Sequence, residues 1–233
     1  MIHPIHSKPL TEIQKTFTDI ARRYDRMNRI MTFGQDVRWR QELIEGLDLQ
    51  PGEWLLDLGT GTGDLAFEVF RQEPGCHPVA VDFTVEMMHL GRGRECGDRL
   101  PWTAADALHL PFPDESFDVV LSGFLLRNVR DLDQALQEQR RVLKPHGRLA
   151  ALDTSRPAQN GLAPFINLYL NLIIPWLGKE IAGNSQAYQY LSASTQAFLT
   201  VEELSERLKK AGFQVARFKR CMFGMIGLHW AYK

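Results

Sequence analysis

The residues best suited to chemistry stand together in the run Asp57-Leu58-Gly59-Thr60-Gly61-Thr62-Gly63-Asp64. Glycines at alternate positions let the backbone approach a bound molecule closely and adopt dihedral angles denied to residues with a side chain. The run follows the apolar stretch Trp54 to Leu58 and precedes the helical period Leu65 to Phe70. That strand, loop and helix setting is the one in which a glycine loop holds a nucleotide-like ligand. A dinucleotide loop spaces its glycines G-x-G-x-x-G, with pyrophosphate over the helix N-terminus. Here the spacing is G-x-G-x-G, and Asp64 occupies the place where phosphate would arrive. A carboxylate there repels phosphate and suits a cationic, phosphate-free ligand, such as the amino acid end of S-adenosylmethionine.

A second carboxylate, Asp82, ends the next apolar run 25 residues after Asp57, where it could accept both hydroxyls of a ribose. Asp106 and Ala107, after the candidate strand Trp102 to Ala104, could read an adenine amino group. Phe83 and Met87 could wall the ring slot, although a phenylalanine and a methionine at helical spacing equally suit a core. Gly123 is a further candidate for the cofactor wall. Arg127 and Asn128 follow the apolar run Phe117 to Leu121, at the crevice end of such a sheet. Arg127 could instead pair with Asp131 and cap a helix. Tyr24, Asp153 and His229 are secondary candidates for a base; a tyrosine on an apolar helix face suits packing, and a single histidine in a terminal strand suits a core.

The elements that must hold these residues are legible from periodicity. Thr11-Glu12-Ile13-Gln14 has the spacing of a capping box, and Ile13, Phe17, Ile20, Tyr24 and Met27 follow the helical period, which predicts an amphipathic N-terminal helix. The strand and helix unit of residues 54–70 recurs as Val79 to Val81 before Glu86 to Leu90, and as Phe117 to Leu121 before Leu132 to Leu143; Arg148 to Leu152 adds a buried strand. Such alternation predicts a parallel, doubly wound sheet with its ligands beyond the strand C-termini. Thr200 to Glu203 forms a second capping box, whose helix should stop at Ala211-Gly212. Gln214 to Lys219 and Met225 to Tyr232 then read as a closing antiparallel pair. Leu162 to Leu177 is apolar but interrupted by Pro164, Asn167, Asn171 and Pro175, too short and broken to span a bilayer. It reads as a lid or tunnel wall.

Composition narrows the classes. The 233 residues carry 27 Lys+Arg against 28 Asp+Glu, so no charge excess draws the chain to nucleic acid. Hydrophobic content of 44% with 24% charged residues fits a globular protein. Cys76, Cys96 and Cys221 are odd in number and widely spaced, which predicts free thiols in a reducing compartment and no zinc site. Met1 to Leu10 lack the pattern of a signal peptide, so a cytoplasmic location is expected.

The motifs also resemble a known family. Asp57 to Gly63 is similar to the first motif of class I S-adenosylmethionine-dependent methyltransferases, and Leu110-Pro111-Phe112-Pro113-Asp114-Glu115-Ser116-Phe117-Asp118 belongs to the same pattern. Arg127-Asn128-Val129-Arg130-Asp131, continuing through Ala135-Leu136, Glu138 and Arg141-Val142-Leu143-Lys144-Pro145, resembles a signature of the ubiquinone/menaquinone C-methyltransferase family. Tyr24-Asp25-Arg26-Met27-Asn28 and Gly34 to Trp39 resemble its N-terminal signature, and Asp153-Thr154-Ser155-Arg156-Pro157 resembles its cyanobacterial branch. The chain departs from the family pattern at Asn28-Arg29, usually Asn-Asp, at Asp36-Val37, usually His-Arg, and at Pro145-His146-Gly147, usually Pro-Gly-Gly.

The resemblance implies a single α/β domain of the class I methyltransferase fold. Its seven-stranded sheet would be mostly parallel with a C-terminal antiparallel hairpin. A helical cap would span residues 1–45 and a Rossmann-like core residues 46–233, with a lid insertion at about 156–195. It implies S-adenosylmethionine as cofactor, held by Asp57, Gly59, Thr60, Gly61, Thr62, Gly63, Asp64, Asp82, Phe83, Met87, Asp106, Ala107 and Gly123. The reaction implied is C-methylation of a prenylated naphthoquinol, 2-phytyl-1,4-naphthoquinol or demethylmenaquinol, as the final methylation of phylloquinone or menaquinone synthesis. A benzoquinol precursor of ubiquinone or plastoquinone type is the alternative substrate. Arg127 would stabilise the phenolate or orient a water, Asn128 would bond the quinol oxygen, and Tyr24 would assist. Leu162, Phe165, Ile166, Leu170, Ile173 and Ile174 could house the tail, or equally form an ordinary buried helix. A substrate resident in membrane implies transient contact with the membrane surface without an anchor; the oligomeric state, a dimer included, stays open. Two rivals use the same loop: a nicotinamide-dependent oxidoreductase, disfavoured by Asp64 and the glycine spacing, and a non-catalytic cofactor-binding module, which would need nothing at Arg127 and Asn128.

Overall fold

The computed structural model describes residues 10–157 and 161–233. Two helices come first, α1 (Leu10–Met31) and α2 (Gln35–Glu45). The alternating part follows: β1 (Trp54–Leu58), α3 (Asp64–Gln72), β2 (His77–Asp82), α4 (Val85–Arg92), β3 (Trp102–Ala104), β4 (Phe117–Gly123), α5 (Leu132–Val142) and β5 (Leu143–Thr154). A helical excursion, α6 (Ala163–Leu168), α7 (Ile174–Ala182) and α8 (Ser185–Ala197), precedes α9 (Val201–Lys210) and the strands β6 (Gln214–Cys221) and β7 (Ile226–Tyr232). The sheet order is β3-β2-β1-β4-β5-β7-β6. β1 to β5 pair in parallel, and β7 lies antiparallel between β5 and β6. The chain reverses its direction of travel across the sheet between β1 and β4, and a crevice forms at such a switch point.

The strands are apolar throughout because both faces of the sheet are covered. Alternation sends Leu56, Leu58, Val81, Val120 and Leu149 into the layer with α5 and α9, and Leu55, Val119, Leu121, Ala150 and Leu152 into the opposite layer. α2 belongs to that second layer: Trp39, Leu43 and Ile44 are buried in it, so the expected cap over residues 1–45 divides, with α2 part of the core and α1 apart from it. α1 packs Ile13, Ile20 and Met27 against Ile166, Leu170 and Tyr188 of the excursion, in a third cluster above the strand C-termini.

Thr11 does not cap α1. The helix is already under way at Leu10, so Thr11 lies within its first turn and the capping position falls outside the described residues. The second capping box is present: Thr200 accepts from the Glu203 amide and Glu203 accepts from the Thr200 amide, and α9 ends before Gly212 at φ +93°. The stretch Leu162 to Leu177 becomes α6 and α7, joined without a break by a π-helical turn, Tyr169–Ile173. Ile166, Leu170 and Ile174 of this segment are buried, whereas Leu162, Phe165 and Ile173 face outward. Among the described residues no helix is long and apolar enough to cross a membrane, and no cluster of side chains could hold a metal. All three cysteines are free.

α7 and α8 approach closely because Gly178 has no side chain: a Cβ there would stand 2.4 Å from the ring of the fully buried Tyr188. Gly178→Ala should therefore lower stability by about 1–3 kcal/mol, the usual cost of overpacking. Urea denaturation would read it, with a lower midpoint and an unchanged slope expected.

Candidate active site

The loop after β1 folds around the Asp57 carboxylate. Asp57 Oδ2 accepts from Thr60 Oγ1 at 2.6 Å and from the Ala66 amide at 3.1 Å, which ties the loop to the first turn of α3. The Gly59 and Thr60 amides donate to Val81 O at 2.8 and 3.0 Å, and bind the loop to β2. Gly59 sits at φ +68°, and a Cβ on it would meet Leu125 at 2.8 Å, so the position needs glycine on both counts. Burial pushes the Asp57 carboxyl up to about 7, against the two donors that favour its charge.

Asp82 lies at the end of β2 and is itself part of the loop. Its Oδ2 accepts from the Gly61 amide at 2.8 Å and its Oδ1 from the Thr84 amide at 2.7 Å. Burial raises its pKa, and these amides oppose the shift. Asp64, expected as an open carboxylate, is instead ion-paired to Arg40 at 3.2 Å and Arg94 at 2.7 Å, so its charge is answered within the protein. α1 stands over this loop: Asp25 accepts from Thr62 Oγ1 at 2.9 Å, and Gln14 donates to Phe83 O at 2.9 Å. Burial, and after it the neighbouring Asp64, raises the Asp25 pKa.

These groups wall a cleft of about 700 Å³, open to solvent. Of the expected cofactor residues, Asp57, Gly59, Thr60, Gly61, Thr62, Asp64, Asp82, Phe83, Met87 and Gly123 line it. Gly63 lies one step behind, at φ +90°, as the residue before α3. Asp106 and Ala107 lie apart from the cleft. Asp106 accepts from the Leu108 amide at 3.0 Å and pairs with Arg130 at 3.5 Å, and Ala107 is buried in the core. The turn that closes β3 thus uses the Asp106 carboxylate for its own loop, and neither residue lines the cleft. Sequence reasoning missed Phe17, Asp25, Arg40, Thr84, Phe124 and Leu125 on the cleft wall. Asp25 lay within the quoted N-terminal signature, but nothing in its spacing placed α1 over the loop. The wall fits S-adenosylmethionine: carboxylates answer a sulfonium, Arg40 is a buried cation within reach of a carboxylate, and Phe83, Met87 and Leu65 offer apolar surface to a base.

Arg127 follows β4 and is buried. Its Nη1 donates to Asp153 Oδ1 at 2.5 Å and its amide to Asp153 Oδ2 at 3.3 Å, so neither Asp131 nor open solvent receives it. Asp131 caps α5 by accepting from the Gln134 amide. Burial works against the guanidinium charge, but Asp153, with the phenols of Tyr24 and Tyr190, holds the Arg127 pKa above its ordinary value. Tyr24 borders the cleft; burial raises its pKa beyond the opposing pull of Arg127, and it keeps its proton at neutral pH. Asn128 also borders the cleft, with Nδ2 donating to Phe124 O at 2.9 Å and Oδ1 accepting from Tyr190 at 3.2 Å. His229 is a core residue, its Nε2 2.9 Å from Val201 O.

Beside the cleft lies a second cavity, a mostly apolar chamber that also opens to solvent and shares the Phe124 wall. Phe124 has φ +58°, a strained conformation for an aromatic residue. Its ring is 5.3 Å from the Arg127 guanidinium and 5.9 Å from that of Arg40. Arg127, Leu170, Ile174, Leu191 and Met225 line the chamber, and Tyr169, Met222 and Met225 are shared with an outer apolar groove bordered by Phe33, Phe165 and Phe223. Cleft, chamber and groove thus follow one another through shared walls.

Asp57 gives the cleft a pH signature. Its folded pKa of about 7 lies above the ordinary 3.8, so its stabilising contribution is complete below 3.8 and is lost as pH rises through 7. Asp57→Asn keeps an accepting oxygen for Thr60 and Ala66 and removes the titration. Melting temperatures measured from pH 4 to 8 should fall less steeply for the variant than for the parent protein; parallel curves would refute the assignment.

Residues 6–233 match the model of the ubiE/COQ5 methyltransferase family. The ubiquinone/menaquinone biosynthesis C-methyltransferase UbiE of Desulfotalea psychrophila is 42% identical over 221 residues, 95% of this chain and 90% of that protein. The demethylmenaquinone methyltransferase of Thermus thermophilus is 40% identical over 216 residues, 91% of this chain and 97% of the relative. A crystal structure of a SAM-dependent methyltransferase from Thermotoga maritima superposes with a TM-score of 0.65 at 22% identity, covering 94% of this chain and 98% of the other, which establishes the shared fold. With the family match spanning the glycine loop, the Arg127-Asn128 turn and the closing hairpin, the chain belongs to the ubiE/COQ5 methyltransferase family and is an S-adenosylmethionine-dependent methyltransferase.

Proposed function

We propose that the protein methylates a ring carbon of a prenylated naphthoquinol, 2-phytyl-1,4-naphthoquinol or demethylmenaquinol, and meets this substrate at a membrane surface. The observation that carries the reading is the succession of cofactor cleft, apolar chamber and outer groove, with the buried Arg127 at the inner junction. The names of the two relatives, a ubiquinone/menaquinone biosynthesis C-methyltransferase and a demethylmenaquinone methyltransferase, support a quinone-type substrate, and the second supports the naphthoquinone ring.

S-adenosylmethionine, when bound, supplies a methyl group on a sulfonium for in-line transfer. The chain's own residues do the rest. The Gly59–Gly63 loop and Asp82 set the cleft's floor, and Phe124 divides it from the chamber. A quinol hydroxyl, with a pKa near 10, loses its proton more readily beside a fixed cation, and the ring carbon then carries the electron density it needs. Arg127 is that cation; Asp153 fixes it by two hydrogen bonds so that little reorganisation is needed as charge develops. Tyr24 remains a phenol able to donate a hydrogen bond. The apolar walls exclude water, which strengthens these interactions.

The tail extends along the outer groove. Residues 157–178 carry no charged side chain, and Phe33, Phe223 and Phe165 are 75%, 74% and 69% exposed around the groove mouth. Exposed aromatic rings at the mouth of an apolar channel suit a visit to a lipid surface.

The direct test is incubation with labelled S-adenosylmethionine and, in turn, reduced demethylmenaquinone, reduced 2-phytyl-1,4-naphthoquinone and a reduced prenylated benzoquinone, with products identified by mass. Methylation of either naphthoquinol supports the reading, and methylation of the benzoquinol alone replaces it with a ubiquinone-type substrate. Arg127→Lys tests the role of the guanidinium while leaving Asp153 a cationic partner. Turnover should fall by on the order of 10²-fold with cofactor affinity within about twofold. Stopped-assay rates and calorimetry together read this, and unchanged turnover would remove Arg127 from the chemistry.

A further inference from the structure

The chamber behind Phe124 holds three buried donors without a hydrogen-bond partner: Asn28 Nδ2, Arg127 Nε and Ser192 Oγ, on residues 8%, 5% and 4% exposed. A buried polar atom left unpaired costs about 1–3 kcal/mol, and folded proteins contain few of them. These three come from α1, from the turn after β4 and from α8, elements far apart in sequence that meet at one cavity. Asn128, the expected partner of the quinol oxygen, has both ends of its amide engaged, by Phe124 O and by Tyr190. Asn28 is one helical turn from Tyr24, and its side chain lies close enough to that phenol to lower its pKa. It is therefore a donor that already stands among the reacting groups.

We propose that Asn28 and Ser192, together with Arg127, are the donors that hold the ring oxygens of the substrate in this chamber, with Asn28 in the place expected for Asn128. The inference rests on the reading of the substrate as a dioxygenated aromatic ring, and it assigns the recognition of those oxygens to the chamber wall. All three atoms are covered by neighbours in this structure, so the side chains turn toward the ring as it enters. Asn28 and Ser192 make no covalent bond and move no proton; they fix the ring against Arg127.

The test uses an oxidised 2-prenyl-1,4-naphthoquinone with a short tail, which accepts hydrogen bonds at both oxygens. Its binding to the full-length protein saturated with S-adenosylhomocysteine is followed by calorimetry. Asn28→Leu should weaken this binding by about tenfold, the worth of one buried hydrogen bond, and Ser192→Ala should weaken it in the same direction. Both variants should bind S-adenosylhomocysteine as the parent does. Asn28→Leu should also melt no lower than the parent, because it removes an unpaired buried donor; a purely structural asparagine would give the opposite. Unchanged quinone affinity in both variants overturns the inference, as does a loss of melting temperature and cofactor affinity together. If the parent protein binds no naphthoquinone and methylates none, the reading of its substrate fails first, a result distinct from a parent that binds and variants that bind equally well.

Discussion

The ion pair between Arg127 and Asp153 is the constraint around which the catalytic end of the molecule is arranged. Both side chains are almost wholly buried, and taking two charges out of water costs several kcal/mol per ion unless geometry and further hydrogen bonds compensate. Compensation comes from the sheet. β4 and β5 run in parallel with Gly123 opposite Leu152, so the two chains leave the sheet side by side and the Arg127 amide as well as its guanidinium reaches Asp153. Removing either partner would strand a buried charge, at a cost of about 3–5 kcal/mol. Phe124, just before this turn, takes a left-handed conformation, and its ring lies 5.3 Å from the guanidinium, where a cation over an aromatic face gains a further fraction of stability. The wall between cleft and chamber thus stands against the pair.

A second ionic chain positions the N-terminal helices. Arg29 and Arg40 both reach Asp36 at 2.5 Å, Arg40 continues to Asp64, and Asp64 to Arg94. Burial would raise the Asp36 pKa, but the two arginines hold it below its ordinary value. Arg29 and Asp36 are two of the positions at which the sequence departs from the family pattern, and they are partners. These two departures therefore form one interaction between the end of α1 and the start of α2. Since α2 is fixed in the core by Trp39, Leu43 and Ile44, this chain of charges sets how α1 lies across the cleft.

The parts of the molecule legible in the sequence are those fixed by local pattern. The apolar runs at 54–58, 79–81, 117–121 and 148–152 became strands, and the box at Thr200 became a cap, because burial on both faces and capping leave a short-range signature. The glycine loop was legible because backbone conformation restricts residue type. Pairings over long distances were not. The structural alternative for Arg127 pairs it with Asp131, four residues away, whereas its partner is Asp153, 26 residues on, across the sheet. Asp64 was read as an open charge because Arg40 and Arg94 bear no sequence relation to it. Asp106 sits after β3 as expected, but its carboxylate turns back to its own loop, a choice between local bonds that spacing cannot express. The tail segment shows the same limit: an interrupted apolar stretch fits a lid or a core, and a π-helical turn within a continuous helix lets it be both, with one face in the third cluster and the other outward.

The division of labour between the cavities follows from what each wall can stabilise. The cleft is lined by carboxylates whose burial makes ionisation costly, and Asp57, Asp82 and Asp25 are all raised. Such a wall favours a positively charged ligand, because the ligand's charge lowers the cost of keeping the acids ionised. The chamber is the reverse: its charged group is an arginine balanced by Asp153, and the rest of its wall is apolar side chains with neutral hydroxyls and an amide. It favours a neutral aromatic body that becomes anionic at an oxygen. On the proposed reading, the methyl group carried on a cation and the electron-rich ring carbon meet where the two cavities adjoin at Phe124. Transfer between them destroys the positive charge on one side and the developing negative charge on the other. Neither charge then needs water, so a mostly apolar chamber beside Phe124 is compatible with the reaction instead of opposing it.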